Sequence, residues 1–431
     1  MFFGNLFLRN RFFKREDLCE NIMSEKMSEA ISLWDAVYKN RAPWLSGNIH
    51  SLNLASAVCS EIARLIAIEL KISVTGSSRA EFLEKSINRI LPRLRAEIEY
   101  ACACGGMIMK PYIKGGEMNV DFIPPNSFIP TAISSDGAVT AADFIQKAQN
   151  KGKYLTRLES HSLGGNTYTI RNRAFISDDR YNPGKEISLS ESEIWADMSE
   201  SVSISNISRP LFVYFRVPCA NNIEPDSPFG VSVFSRAVEL MEQADRQYSR
   251  LIWEYESGER ALYLDETAFR RDKNGKPVLP DKRLYKTINS GENDLFHDWS
   301  PVIRDESILR GLDSILVKIE DACGLSRGTF SRTDTQAKTA TELKILRQRS
   351  YSVITDMQKA LRSSLEELLC VMNIWCELSG TGGSGKYGTG FEFDDSIICD
   401  TEKEFEQKMK LVSAGIMSKE EFRAWYFGEE K

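Results

Sequence analysis

Histidine is nearly absent from this chain: only His50, His161 and His297 occur among its 431 residues, far apart in sequence. The cysteines do not compensate. Cys19, Cys59, Cys102, Cys104, Cys219, Cys323, Cys370, Cys376 and Cys399 are odd in number, and Cys102-x-Cys104 has no second Cys or His pair at zinc-like spacing. A metal centre is therefore not expected, and the apolar or helical surroundings of most of these residues suggest reduced, buried thiols of a cytosolic protein. An excess of positive charge is missing as well: 55 Lys and Arg stand against 61 Asp and Glu, a net charge of -6. That excludes a protein that grips nucleic acid over its whole surface, so any such contact should be local or weak. Also lacking are a G-x-S-x-G nucleophile elbow, an H-E-x-x-H helix and an acidic metal cluster, and paired carboxylates such as Asp394-Asp395 are too common to imply acid–base chemistry. Neither an active site nor a cofactor is expected.

What is present fits a soluble globular chain, with 42% hydrophobic and 27% charged residues. The opening MFFGNLFLRNRFFKRE is apolar, but Arg9 and Arg11 interrupt it before it reaches the length of a signal core, and no small-residue cleavage site follows. As a helix it would set Phe2, Phe3, Leu6, Phe7 and Phe13 near one face with basic residues opposite, a surface for docking on protein or membrane. Protein is the favoured partner, because no other segment suggests a membrane.

Amphipathic helices are expected over about Ser51–Lys71 and Arg79–Tyr100, followed by a hairpin-like run from Cys104 to Phe122 and strand-like runs at Tyr154–Leu158, Tyr168–Ile170 and Leu211–Val217. This is the pattern of an α+β domain. From Ser227 the character changes: Ser227 suits an N-cap, Pro228 the first helical position, and the pattern stays helical to Ser257 before Gly258. The result would be a helix of about 30 residues, roughly 45 Å long. Its apolar stripe is Phe234, Val238, Met241, Tyr248, Ile252 and Tyr255, interrupted by Asp245, as expected for packing against equivalent helices in a ring or bundle. A compact β insert follows, with ALYLDE from Ala261, a turn at Asn274-Gly275 and RLYKTI from Arg283. Its tip is basic, carrying Arg270, Arg271, Lys273, Lys276, Lys282 and Arg283.

A helix over about Glu306–Cys323, with Ile308, Leu312, Ile315 and Ile319 on one face, should stop at a left-handed Gly324. The polar stretch GLSRGTFSRTDTQAKTATE then leads to a capping box at Thr339 and Glu342 and a final long helix from about Ala340 to Leu378. Between those anchors Arg327, Arg332 and Lys338 face a single acid, Asp334, with Thr329 and an exposed-looking Phe330: a basic finger on a rigid base. The glycine-rich SGTGGSGKYGTG after the long helix fits G-x-x-x-x-G-K, yet a phosphate loop needs a strand before it and a helix after it, and here the expected order is reversed. Tyr387 also stands where a magnesium-binding hydroxyl belongs. A flexible linker is the better reading, followed by a strand FEFDDSII and one or two short helices.

Seven blocks, in this order, resemble portal proteins of long-tailed double-stranded-DNA bacteriophages and prophages: SLNLASAVCSEIARLIAIEL, CGGMIMKPYIKGG, YLTRLESH, PLFVYFRVPCANNIEPDSPFGVSVFSRAVELMEQAD, GLSRGTFS, KTATE and VSAGIMSKEEFRAW. The resemblance covers nearly the whole chain after about Ser46. It implies an α+β portal fold that assembles as a homo-oligomeric ring, typically a dodecamer, without enzymatic activity. Mapped onto this chain it implies an N-terminal segment (1–27), a wing (28–226), a stem helix (227–259), a clip (260–304) and a second stem helix (305–323). A tunnel loop (324–339), a long helix with a wing strand (340–400) and a short crown (401–431) complete it. The stripe residues would pack the stem. Arg270, Arg271, Lys273, Lys276 and Arg283 would bind partners at the clip, and Arg327, Thr329, Phe330, Arg332 and Lys338 would face DNA. The implied partners are the terminase large subunit, scaffold, major capsid protein and a head-completion adaptor, at the portal vertex of the virion or, during assembly, in host cytoplasm. The alternatives are an ATP-dependent enzyme using the Gly380 loop and a membrane-associated scaffold.

Overall fold

A serine opens the first described helix: Ser24 accepts the Met27 N–H at 3.2 Å, and α1 runs Glu25–Tyr38. The structure, a computed structural model, describes residues 22–68, 70–135, 137–180, 182–288, 296–332, 340–393, 401–415 and 417–427. The N-terminal segment before Ile22, Lys338, the Thr339 cap and all of DDSII lie outside them. The fold is mixed α and β. Helices α2 (Leu54–Ala67) and α3 (Ser78–Cys104) follow α1, with strand β1 (Lys71–Thr75) in the gap between the two expected helices, where the sequence pattern assigned no strand. Met27, Trp34, Ile62, Ile66, Leu83, Ile87 and Leu94 are almost wholly shielded and form one core with Ile108 and Met109 of the next strand.

Strands β2 (Gly106–Lys114) and β3 (Glu117–Ile123) make the expected hairpin, turning at Gly115-Gly116, and β10 (Val213–Arg216) adds to the other edge of β2. A second antiparallel sheet, in the order β4 (Phe128–Ile133), β5 (Val139–Asn150), β6 (Lys153–Gly164), β7 (Thr167–Ser177), β8 (Lys185–Ile187), carries β9 (Ser201–Ser205) on β7 as well. The two sheets are joined by a buried charge cluster. Lys110 on β2 gives both Glu159 carboxylate oxygens hydrogen bonds of 2.9 Å, Arg157 reaches the same carboxylate at 2.8 Å, and His161 closes it at 2.6 Å. His161 also meets the Tyr168 hydroxyl at 2.7 Å. Burial outweighs the Glu159 contact and lowers the His161 pKa; Glu159, despite a burial cost that would raise it, is held below the carboxylate range by the His161 hydrogen bond and the Lys110 and Arg157 charges.

The expected 30-residue helix from Pro228 is shorter at its start: α4 runs Val238–Ser257, 20 residues. Residues 227–237 are drawn instead into the core by the body of the protein. Gly230 packs backbone to backbone on Gly105, so close that a Cβ on Gly105 would sit 2.3 Å from the Gly230 carbonyl oxygen. The Val233 N–H donates to the Cys102 carbonyl at 3.0 Å, and Phe229, Val231 and Phe234 are buried. Local propensity favoured a helix there, and tertiary burial won.

After α4 comes the β insert, then α5 (Asp305–Cys323) and the long α6 (Ala340–Ser379), 40 residues or about 60 Å. Leu361, Leu365, Leu368 and Met372 of α6 are fully buried against the body. Strand β14 (Gly388–Glu392) returns to pair antiparallel with β1, and α7 (Thr401–Ser413) and α8 (Lys419–Phe427) follow. Among the described residues no helix is long and apolar enough to cross a membrane.

Candidate functional site at the helix pair

Helices α4 and α5 pack side by side, separated in sequence by the insert. Gln247 on α4 donates to the Ile308 carbonyl at 3.2 Å, opposite Gly311, where an added Cβ would lie 3.1 Å from the amide nitrogen. Asp245 interrupts the α4 stripe for a reason: buried, it accepts Trp44 Nε1 at 2.9 Å and the Leu52 N–H at 2.8 Å, tying the helix to the segment before α2. Burial pushes its pKa up, against the pull of those two hydrogen bonds. At the far end Glu254 accepts three hydrogen bonds from Arg304, from the backbone N–H at 3.0 Å and from Nε and Nη2 at 3.1 and 2.8 Å. Arg304 holds the Glu254 carboxyl down to about 2.

The stripe residues do not share one surface. Phe234 precedes the helix, and Phe234 and Met241 are buried in the chain's own core; Val238 and Tyr248 are half-buried against it, Ile252 is half-buried on α4, and Tyr255 is exposed and donates to Asp305 at 3.3 Å. The side chains left open near the insert are others, which the periodicity did not single out: Trp253 (60% exposed), Phe296, Trp299 and Val302. Exposed aromatics bounded by charge were their only signal.

The insert is a three-stranded sheet with β11 (Ala261–Asp265) in the middle. β12 (Tyr285–Ile288) pairs with β11 in parallel, and β13 (Phe296–Trp299) antiparallel. ALYLDE and RLYKTI are therefore not the two arms of one hairpin. The Asn274-Gly275 turn closes a smaller one, bridged at Arg271 and Pro277, in which the Asp272 carboxylate accepts the Asn274 and Lys276 N–H groups at 2.8 Å each. Arg270, Arg271, Lys273 and Lys276 are exposed on it, Arg271 donating to the Gly275 carbonyl at 3.1 Å. Arg283 is set apart, paired with Glu259.

The segment after α5 is built. Gly324 takes the expected left-handed conformation, φ 71°, and its N–H returns to the Glu320 carbonyl. Leu325 is buried, and Ser326 and Ser350 join hydroxyls at 2.8 Å. Glu320, wholly buried, accepts Phe330 and Ser331 N–H groups on Oε1 at 2.5 and 2.8 Å, and the Gly328 N–H and Ser331 hydroxyl on Oε2 at 3.2 and 2.8 Å. The Arg332 N–H donates to Asp313 at 2.6 Å. Arg327 is exposed but paired with Asp321 at 2.9 and 3.2 Å; Thr329 and Arg332 are exposed; Phe330 is half-buried against the core, a correction to its exposed appearance in the sequence.

The glycine-rich stretch is no anion cradle. Its carbonyls point at a cation: Arg79 donates to Gly382 and Gly383 oxygens at 3.1 and 2.7 Å and to Asn373 Oδ1 at 2.8 Å. A phosphate site presents amides to its ligand, and this one presents acceptors. The seven described cysteines are free, and burial pushes Cys104 and Cys323 up to about 12, leaving little thiolate for chemistry or metal.

The helix pair carries a β insert at one end and a built turn at the other, with a 40-residue helix beyond it and an α+β body behind, and the family comparison assigns the chain to structural proteins of phage heads. The family model "Phage portal protein, SPP1 Gp6-like" matches residues 86–431, and the chain belongs to that family. This is a structural family of the capsid vertex. No curated protein matches the chain significantly.

Proposed function

We propose that copies of this chain close into a ring, of twelve subunits as is typical of portals, through whose axis double-stranded DNA is packaged and later ejected. The reading rests on the family match together with one arrangement: an exposed basic tip at one end of the helix pair and a basic segment at the other. In it, residues 28–226 form the wing, α4 and α5 the stem, 260–304 the clip, 324–339 the tunnel loop, and 401–431 a small crown. The clip tip docks the terminase large subunit and then a head-completion adaptor, and the ring contacts scaffold and major capsid protein during assembly in host cytoplasm.

Charge supports the role. A wall lined with Lys and Arg would hold phosphates and resist sliding, whereas a chain of net charge -6 does not. Asp321 already balances Arg327, so Arg332 and Lys338 are left as the sparse, sequence-independent contacts of the loop. Negative-stain imaging of the purified protein tests the class: rings with an axial hole are expected, and a compact monomer at high concentration would remove the proposal.

A further inference from the structure

Glu320 is an unusual place for a carboxylate. It is fully buried, and among the described residues no Lys, Arg or His lies within ion-pair distance of it. Its hydrogen-bond donors all come from the turn after its own helix: three N–H groups, from Gly328, Phe330 and Ser331, and one hydroxyl, with the Arg327 charge acting on it from beyond contact distance. Ser331 does double service, accepting from the Gly328 N–H at 3.0 Å while donating to Glu320, and is itself buried. Such a concave run of backbone N–H groups around an anion is ordinarily a ligand site, and here the ligand is a side chain of the protein.

The second hydrogen bond extends the geometry. Asp313 lies seven residues before Glu320, two turns back on the same side of α5, and it takes the next amide, that of Arg332. The chain therefore reverses at Gly324 and runs back along the helix for about 10 Å, the rise of seven residues. We propose that Glu320 is the positioning residue of this loop: it fixes residues 328–331 so that the rest of the loop departs at Arg332 beside Asp313, and not from the helix end at Gly324. The assignment rests on the tunnel-loop reading only for its consequence, that the height at which the loop meets DNA is set by one buried acid.

The test is hydrogen–deuterium exchange on full-length Glu320→Gln, where one oxygen acceptor becomes a donor facing donors. Exchange at Phe330 and Ser331 should quicken roughly tenfold or more, as loss of charge-assisted hydrogen bonds implies, with α4 and α5 amides unchanged. Unaltered exchange at those two amides overturns the proposal. Should Glu320→Gln fail to fold, Ser331→Ala retains the carboxylate and removes only the bridging hydroxyl, and the Gly328 amide must then exchange faster for the proposal to stand. DNA retention per assembled head separates the two readings. Faster exchange with reduced retention at normal ring yield supports both; faster exchange with wild-type retention supports the anchor and removes the tunnel-loop reading.

Discussion

Two substitutions on the same helix should have opposite consequences. Met241 is 2% exposed and lies in the subunit's own core with Phe234 and Ala237, whereas Trp253, three turns on, is 60% exposed. Met241→Asp removes a packed side chain at about 2–5 kcal/mol and buries a carboxylate in the apolar core near Asp245, a further several kcal/mol. Together these rival the about 5–15 kcal/mol that holds an average domain folded. The subunit itself should fail, giving no cooperative melt. Trp253→Asp exposes nothing new in the subunit and should shift its stability by no more than about 0.5 kcal/mol. In a ring, however, every interface would lose an aromatic anchor of about 2 kcal/mol or more. Circular dichroism melts and light scattering on the same samples decide. The expected result is a folded Trp253→Asp monomer and an unfolded Met241→Asp chain. Trp253→Asp rings of wild-type mass and dilution behaviour would show that this face of α4 is not between copies of the chain, and a cooperatively folded Met241→Asp would refute the core placement.

Reversing Arg271, Lys273 and Lys276 to Glu should leave rings intact and slow association with the motor protein, with a weaker salt dependence; unchanged association rates at low salt would reduce the tip to a solvated hairpin. Shortening the loop must spare Ser331, which Glu320 holds, so replacing 333–338 with a few glycines should preserve rings and lower DNA retention, and full retention would disqualify the segment as a tunnel loop. Acid should weaken the fold in two stages. The unfolded chain protonates His161 near pH 6.5 while the buried folded ring resists, so stability falls as pH drops below about 6.5; the Glu159 contribution is full above about 4.5 and is lost further down. Melting temperature against pH reads both, His161→Gln should flatten the upper stage, and a flat profile from pH 7 to 5 would refute the assignment.

Periodicity carried far where structure is local. The helix ending at Cys323, the glycine after it, the long helix from Ala340 and the Gly115-Gly116 hairpin could be read because spacing and turn chemistry determine them within a few residues. The losses came from long-range contacts. β1 finds its partner β14 more than 300 residues away, and 227–237 gives up a helical pattern because Gly105 and Cys102 offer a backbone to dock on. The loop shows the same division. Its basic residues were visible, but Glu320 looked like any acid on an amphipathic helix until four donors were seen to surround it, and Arg327 looked available until Asp321 was found beside it.

The clasp between Glu254 and Arg304 has a mechanical meaning. The chain crosses between helix pair and insert twice, and at that crossing a single carboxylate binds both the side chain and the backbone N–H of Arg304, where the returning chain enters α5. A pull on the insert from whatever docks there must therefore pass through this knot before it can pry α4 from α5. Because that one contact joins the last turn of α4 to the first residue before α5, a displacement of the insert would be passed to both helices together.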